Sequence, residues 1–258
     1  MGSKDVNPWK WVLVLDSDRI KRAVMFAIFG GHLLEGGQIG SLTNMPAGLI
    51  VLGGTLAAGM IQADAATWKL AWRLFPTIFW SDRPRITDSI AKIVRWCQLA
   101  RRNGPLSLDP ESGKEPDDFM RLGLQLIVDG SSKEQIRHSL KVATEARETQ
   151  WLKAAGLFES LGGYAPTMGI IGAVLGLIQV MTQIQDTAAI GLGIATAFVA
   201  TVYGVGMANL LLLPVAGRLR DIAMQRSQFE EMVVDGLLGI LDGENPRMLE
   251  RRLQEYHL

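Results

Sequence analysis

The sequence predicts an all-α integral membrane protein with four transmembrane helices and a helical cytoplasmic domain. Three observations carry this. Charge is missing from three long windows: 28 consecutive uncharged residues separate Glu35 from Asp64, 26 separate Glu159 from Asp186, and 31 separate Asp186 from Arg218. A helix crossing roughly 30 Å of hydrocarbon needs about 20 mainly apolar residues, so each window is long enough. No segment sustains the apolar–polar alternation of a strand. Finally, the 26 Lys and Arg fall into three blocks, five in residues 1–22, fifteen in 63–155 and six in 218–258, and the two short turns between spans carry none. Basic loops stay on the cytoplasmic side, so both termini and the long central segment are expected there. A soluble helical protein would rarely concentrate three such windows. A cleaved signal peptide does not fit either, because Asp16 and Asp18 interrupt the early apolar run and no small-residue cleavage site follows.

Taken in order, the first span is the weakest. Only twelve uncharged residues, 23–34, precede Glu35-Gly36-Gly37, and a span over 23–42 requires His32 and Glu35 to face protein or water rather than lipid. Residues 43–46 form a tight turn into the second span. That span is expected to run on into an interfacial helix, where Trp68, Trp72 and Phe75 recur at i, i+4, i+7 beside Lys69 and Arg73. Phe75-Pro76 should bend the chain. The next helix has Thr87 or Asp88 as its cap and Ile90, Ile93, Val94 and Cys97 as its apolar stripe. Arg101, Arg102 and Asn103-Gly104 end it, with cations at the negative end of the helix and Gly at its stop. A further helix covers about 116–129 and stops at Gly130. Ser131-x-x-Glu134 reads as the capping box of a helix with no proline before Pro166. The third span is therefore one long helix projecting into the cytoplasm. After a turn at 185–187, the fourth span likewise continues past Pro214 through 218–232, and Glu244-Asn245-Pro246 breaks the chain before a short basic helix.

These elements divide the chain into five parts. Residues 1–22 are an N-terminal cytoplasmic or interfacial segment, 23–62 a first transmembrane hairpin, and 63–155 a cytoplasmic helical domain. Residues 156–217 are expected to form a second hairpin, and 218–258 C-terminal cytoplasmic helices.

Composition removes several functions. A net charge of zero lacks the basic excess of a nucleic-acid binder. A single cysteine, Cys97, rules out an intrachain disulfide framework or a multi-cysteine metal site, and His32, His138 and His257 have no ligand spacing. Phosphate-binding, H-E-x-x-H and C-x-x-C motifs are all missing. No enzyme chemistry, catalytic residue, metal or cofactor is expected.

The third and fourth spans carry a different pattern. Pro166 and Pro214 each lack an N–H and so free the carbonyl four residues earlier, at Gly162 and Leu210, which suits a pair of hinges beside a hydrated path. Small residues crowd both spans, with Gly169, Gly172, Ala173 and Gly176 on one and Ala197, Ala200, Gly204 and Ala208 among those on the other. Such residues let membrane helices approach closely. Neither span holds an Asp, Glu, His, Lys or Arg in its interior. A proton relay normally needs an ionisable group within the membrane, so a partner must bring the carboxylate if ions pass here.

In its ordered motifs the chain resembles the MotA/PomA family, the larger subunit of the bacterial flagellar stator. The resemblance rests on residues 33–42 with Leu49-Ile50-Val51-Leu52-Gly53-Gly54-Thr55, on residues 124–130, and on Tyr164-Ala165-Pro166-Thr167-Met168-Gly169. It continues in Thr201-Val202-Tyr203-Gly204 with Asn209 and Pro214, and in Asp242-Gly243-Glu244-Asn245-Pro246-Arg247. The resemblance implies a multi-pass protein of the bacterial inner membrane. It implies five copies around two single-span MotB-type partners that are anchored to peptidoglycan and supply the ion-carrying Asp. Pro166 and Pro214 match the family's gating prolines, and the resemblance implies that Ala173, Ala200, Thr201 and Tyr203 lie with them along the ion path. Arg101 matches its residue facing the rotor protein FliG, and Asp109 stands where the family often has Glu. Sodium-driven members carry Thr where this chain has Ala173, and a Thr-Thr pair where it has Ala200-Thr201. Sodium needs several oxygen ligands, so the resemblance implies proton drive. An ExbB/TolQ-type proton channel energising an outer-membrane system is the second expectation, and a passive membrane scaffold the third.

Overall fold

The computed structural model describes Leu34, residues 43–80, 86–183 and 185–257. The expected first span, 23–42, lies outside the described residues apart from Leu34, as does the N-terminal segment. Among the described residues the chain is helical throughout and forms no strand. We label the principal helices α1 (Met45–Gln62), α2 (Ala65–Leu74), α3 (Ile86–Asn103) and α4 (Asp118–Val128). They are followed by α5 (Lys133–Thr182), α6 (Thr187–Gly206), α7 (Leu213–Leu241) and α8 (Pro246–Gln254). Among the described residues, three stretches are long and apolar enough to cross a membrane: α1, α5, and the run Ala188–Leu241 that joins α6 to α7.

Helix boundaries follow local chemistry. Asn44 caps α1, its Oδ1 accepting from the Ala47 N–H at 3.0 Å. The second span does not run on into the aromatic helix: α1 stops at Gln62, and Asp64 starts α2 afresh by accepting from the Thr67 N–H at 3.0 Å. A carboxylate at that position is a strong N-cap and competes with continuing the helix. The capping box before α5 sits one residue later than expected. Gln135 N–H donates to Ser132 Oγ at 3.2 Å, and Ser132 N–H donates to Gln135 Oε1 at 2.8 Å. Ser132-x-x-Gln135 satisfies the same pattern as Ser131-x-x-Glu134. Helix α5 then runs unbroken for 50 residues, as expected. Asp186 caps α6 through the Ala188 and Ala189 N–H groups.

The chain forms two compact units, with α5 and α7 contributing to both. The described part of the first holds residues 43–62 and 160–214. Its outward faces are apolar: Ile61 is 88 % exposed, Phe198 70 % and Ile170 60 %. Water would not tolerate so continuous an apolar surface, whereas lipid or a partner helix would.

The second unit holds the described parts of 63–159 and 215–257. It buries one core, built by Ile93, Trp96 and Cys97 of α3, Phe119, Met120 and Leu124 of α4, Ile136 and Leu140 of α5, and Met232 and Leu237 of α7. Leu249 and Leu253 of α8 close it. The expected stripe on α3 is confirmed at Ile90, Ile93 and Cys97, with Trp96 as its largest buried member.

Candidate functional site

In the first unit, the site is a seam between α5 and α6. The helices run antiparallel and almost touch, backbone to backbone. A Cβ on Gly204 would lie 2.5 Å from the Ala165 carbonyl oxygen, and one on Gly169 would lie 3.0 Å from that of Ala200. A Cβ on Gly176 would lie 2.8 Å from the Gly193 carbonyl oxygen and 2.9 Å from the Ala197 nitrogen. The contacts at Gly204 and Gly176 therefore require glycine, that at Gly169 is nearly as tight, and the dense small residues serve helix packing within the chain.

The residues expected along an ion path divide between two faces. Ala200 is fully buried in the seam, with its Cβ 2.7 Å from where a Cβ on Gly172 would stand. Thr201 is exposed and donates to the Ala197 carbonyl at 3.2 Å. Tyr203 is half-buried beside Gly48 and accepts the Asn44 N–H at 3.3 Å. Two residues along a helix turn through about 200°, so Thr201 and Tyr203 point to opposite sides. Pro166 and Ala173 are both half-buried and sit two turns apart on α5.

The two prolines are accommodated differently. Helix α5 stays α-helical through Pro166, and Thr167 Oγ1 donates to the Tyr164 carbonyl at 2.7 Å. Ahead of Pro214 the chain widens into a π turn over Met207–Leu212, and the Leu213 N–H reaches back five residues to the Ala208 carbonyl. Widening the ladder is one way to relieve the clash of a proline ring with the preceding turn. A second π turn, Leu49–Gly53, lies within α1.

One polar group in this unit was not singled out from the sequence. Asn44 donates from Nδ2 to Thr196 Oγ1 at 2.8 Å, while its backbone meets Tyr203. It thus ties the start of α1 to two points on α6 that lie two turns apart. Its only sequence signal is a cap-forming residue before Pro46.

In the second unit, Arg101 and Asp109 are both exposed. Arg101 lies in the last turn of α3, and its Nη1 donates to the Glu244 carbonyl at 3.0 Å. Cys97, one turn earlier, directs its thiol to the same oxygen at 3.4 Å. Burial pushes the Cys97 thiol up from its ordinary range, and the Arg101 charge partly offsets this. Asp109 opens a short helical turn, Asp109–Ser112.

A charge cluster around one buried carboxylate ties the start of α4 to α5 and α7. Glu230 is 1 % exposed and accepts from Arg147 at 3.0 Å and from Arg226 at 3.1 Å. Arg226 also donates to Asp117 at 2.7 Å. Phe119 lies under Arg147 and Phe229 under Arg226, with guanidinium-to-ring distances of 5.5 and 5.1 Å. Burial pushes the Asp117 carboxyl up, but Arg226 and the N–H groups of Met120 and Phe119 outweigh it and hold the group below the usual carboxylate range. Apart from the i, i+4 pair Arg226–Glu230, the members of this cluster are distant in sequence, so periodicity cannot reveal it. Among the described residues no group of three metal-ligating side chains comes together.

Comparison with known proteins matches this architecture. The MotA/TolQ/ExbB proton channel family matches residues 111–232, and the motility protein A N-terminal family matches residues 22–104. Motility protein A of Bacillus subtilis is 34 % identical over 89 % of this chain and 86 % of its own length. Chemotaxis protein PomA of Vibrio alginolyticus is 32 % identical over 91 % of this chain and 94 % of its own length. The solved flagellar MotAB stator complex of Bacillus subtilis contains a chain that superposes with a TM-score of 0.85 at 34 % identity, covering 92 % of this chain and 94 % of that one. With identity above 30 % along nearly the full length of its relatives, an antiparallel glycine seam and a matching helical fold, this chain belongs to the motility protein A family.

Proposed function

We propose that the chain is the A-type subunit of a bacterial flagellar stator. With a MotB-type, peptidoglycan-anchored partner it forms a proton-driven rotary channel in the inner membrane and delivers torque to the rotor protein FliG. The observation that carries this reading is the pairing of two membrane-length helices, packed through glycine, with an interior free of ionisable side chains. Such a pair is a wall for an ion path and lacks the titrating group, so the acid must come from the partner. Similarity to chains of solved MotAB complexes supports the same division of roles, and the reading places five copies around two partner helices.

Within this reading, residues 23–62 and 156–217 are the two membrane hairpins, and 63–155 and 218–258 are cytoplasmic. Pro166, Pro214, Thr201, Ala173, Ala200 and Tyr203 shape the ion path and its gating. Arg101 and Asp109 face the rotor, and both present exposed charge. The reading assigns no catalytic residue. Ala173 and Ala200 offer no hydroxyl ligand for sodium, which supports proton drive.

The ExbB/TolQ-type alternative shares one matched family, but the motility-specific N-terminal match and the names of the relatives favour the stator. Deleting the gene should abolish swimming and leave outer-membrane iron uptake intact. Normal swimming with lost iron uptake would reverse the choice.

A further inference from the structure

The tail that follows α7 does more than end the chain. Its turn delivers the Glu244 carbonyl to the exposed end of α3, where Arg101 donates to it at 3.0 Å. Several independent ties fix that carbonyl. The Glu244 N–H donates to the Gly239 carbonyl at 3.1 Å, and the Glu244 carboxylate accepts from Arg252 at 2.7 Å. Asn245 caps α8 by accepting from the Arg247 N–H at 3.0 Å. Leu249 and Leu253 anchor α8 with no exposed surface, in the same core as Ile93 and Cys97. At Gly239, a Cβ would lie 2.7 Å from Leu249 and 2.9 Å from both Arg252 and Glu244, so the turn is packed closely from below.

We propose that the turn at residues 242–245 is the positioning element for Arg101, holding its guanidinium ready for the rotor. The inference rests on the reading that Arg101 faces the rotor. A free arginine loses much rotamer freedom when it binds a partner. One hydrogen bond to a fixed carbonyl removes part of that loss beforehand and leaves the other donors of the fork to face outward. The carbonyl belongs to the backbone, so its role is invisible in the side chain of residue 244. It is reached through the cap at Asn245 and through Gly243, whose φ of +63° favours glycine.

The test uses full-length protein in motile cells with its native partner, and reads torque per incorporated stator unit from stepwise bead rotation. Asn245→Ala removes the cap. Gly243→Ala strains the turn without a clash, since a Cβ there meets nothing within 4 Å. Each should lower torque per unit by about two- to five-fold, the scale of one lost cap, with proton flux unchanged. In an Arg101→Lys background, where the ammonium cannot both hold the carbonyl and present a fork, neither should lower torque further. Losses that add in that background, or full torque in both tail variants, would overturn the positioning role. Full torque in Arg101→Ala would instead overturn the rotor assignment itself.

Discussion

Glu230 shows how a single carboxylate organises the second unit. Its two arginine partners come from different helices, and it is shielded from solvent. Glu230→Ala leaves both guanidinium groups facing an empty polar site and should destabilise the protein by about 1–3 kcal/mol, read from thermal unfolding in detergent. Replacement by Gln should cost less, because one acceptor oxygen remains. Asp117 sets an acid limit. Its carboxyl is held below the usual range, so the folded state binds its proton less readily than the unfolded chain. The resulting stability is fully present above the unfolded value of about 3.9 and is lost as pH falls through the lower folded value. An Asp117→Asn variant should therefore melt lower than the parent at neutral pH, with the difference shrinking in acid. A difference independent of pH would contradict the assignment.

At the scale of the element, the glycine seam makes a sharper prediction than any cavity. Gly204→Val places a branched side chain against the Ala165 carbonyl and should prevent close packing of α5 on α6. Lower membrane accumulation of the variant, with Gly206→Val as a control in open space, would show it. Pro214→Ala restores an N–H to the helix and allows the π turn at Met207–Leu212 to close into a regular ladder. Swimming should fail while accumulation persists, as immunoblots of membranes can check. Much at this scale was legible beforehand. The cytoplasmic reach of α5 up to Pro166 followed from the lack of an earlier proline, and the stop of α3 from Arg101-Arg102 and Gly104. The π turns were not, because three- and four-residue apolar spacings survive an extra residue in one turn. The cap at Ser132 was missed by one position because two overlapping tetrapeptides both satisfy the same reciprocal pattern.

For the whole molecule, the ion-path reading predicts that speed follows the proton gradient. Removing external sodium at constant pH should leave swimming unchanged, as video tracking would record; arrest without sodium would overturn proton drive. The sequence revealed the membrane character, the missing interior charge and the family. It left the Asn44 bridge and the reach of the Glu230 cluster to Arg147 and Asp117 hidden, since these contacts join residues more than 80 positions apart. The seam between α5 and α6 has one more consequence. At these glycine contacts backbone meets backbone, so no long side chain there has to change rotamer for one helix to slide slightly along the other. A machine that must repeat the same step many times without wear is well served by a bearing surface that smooth.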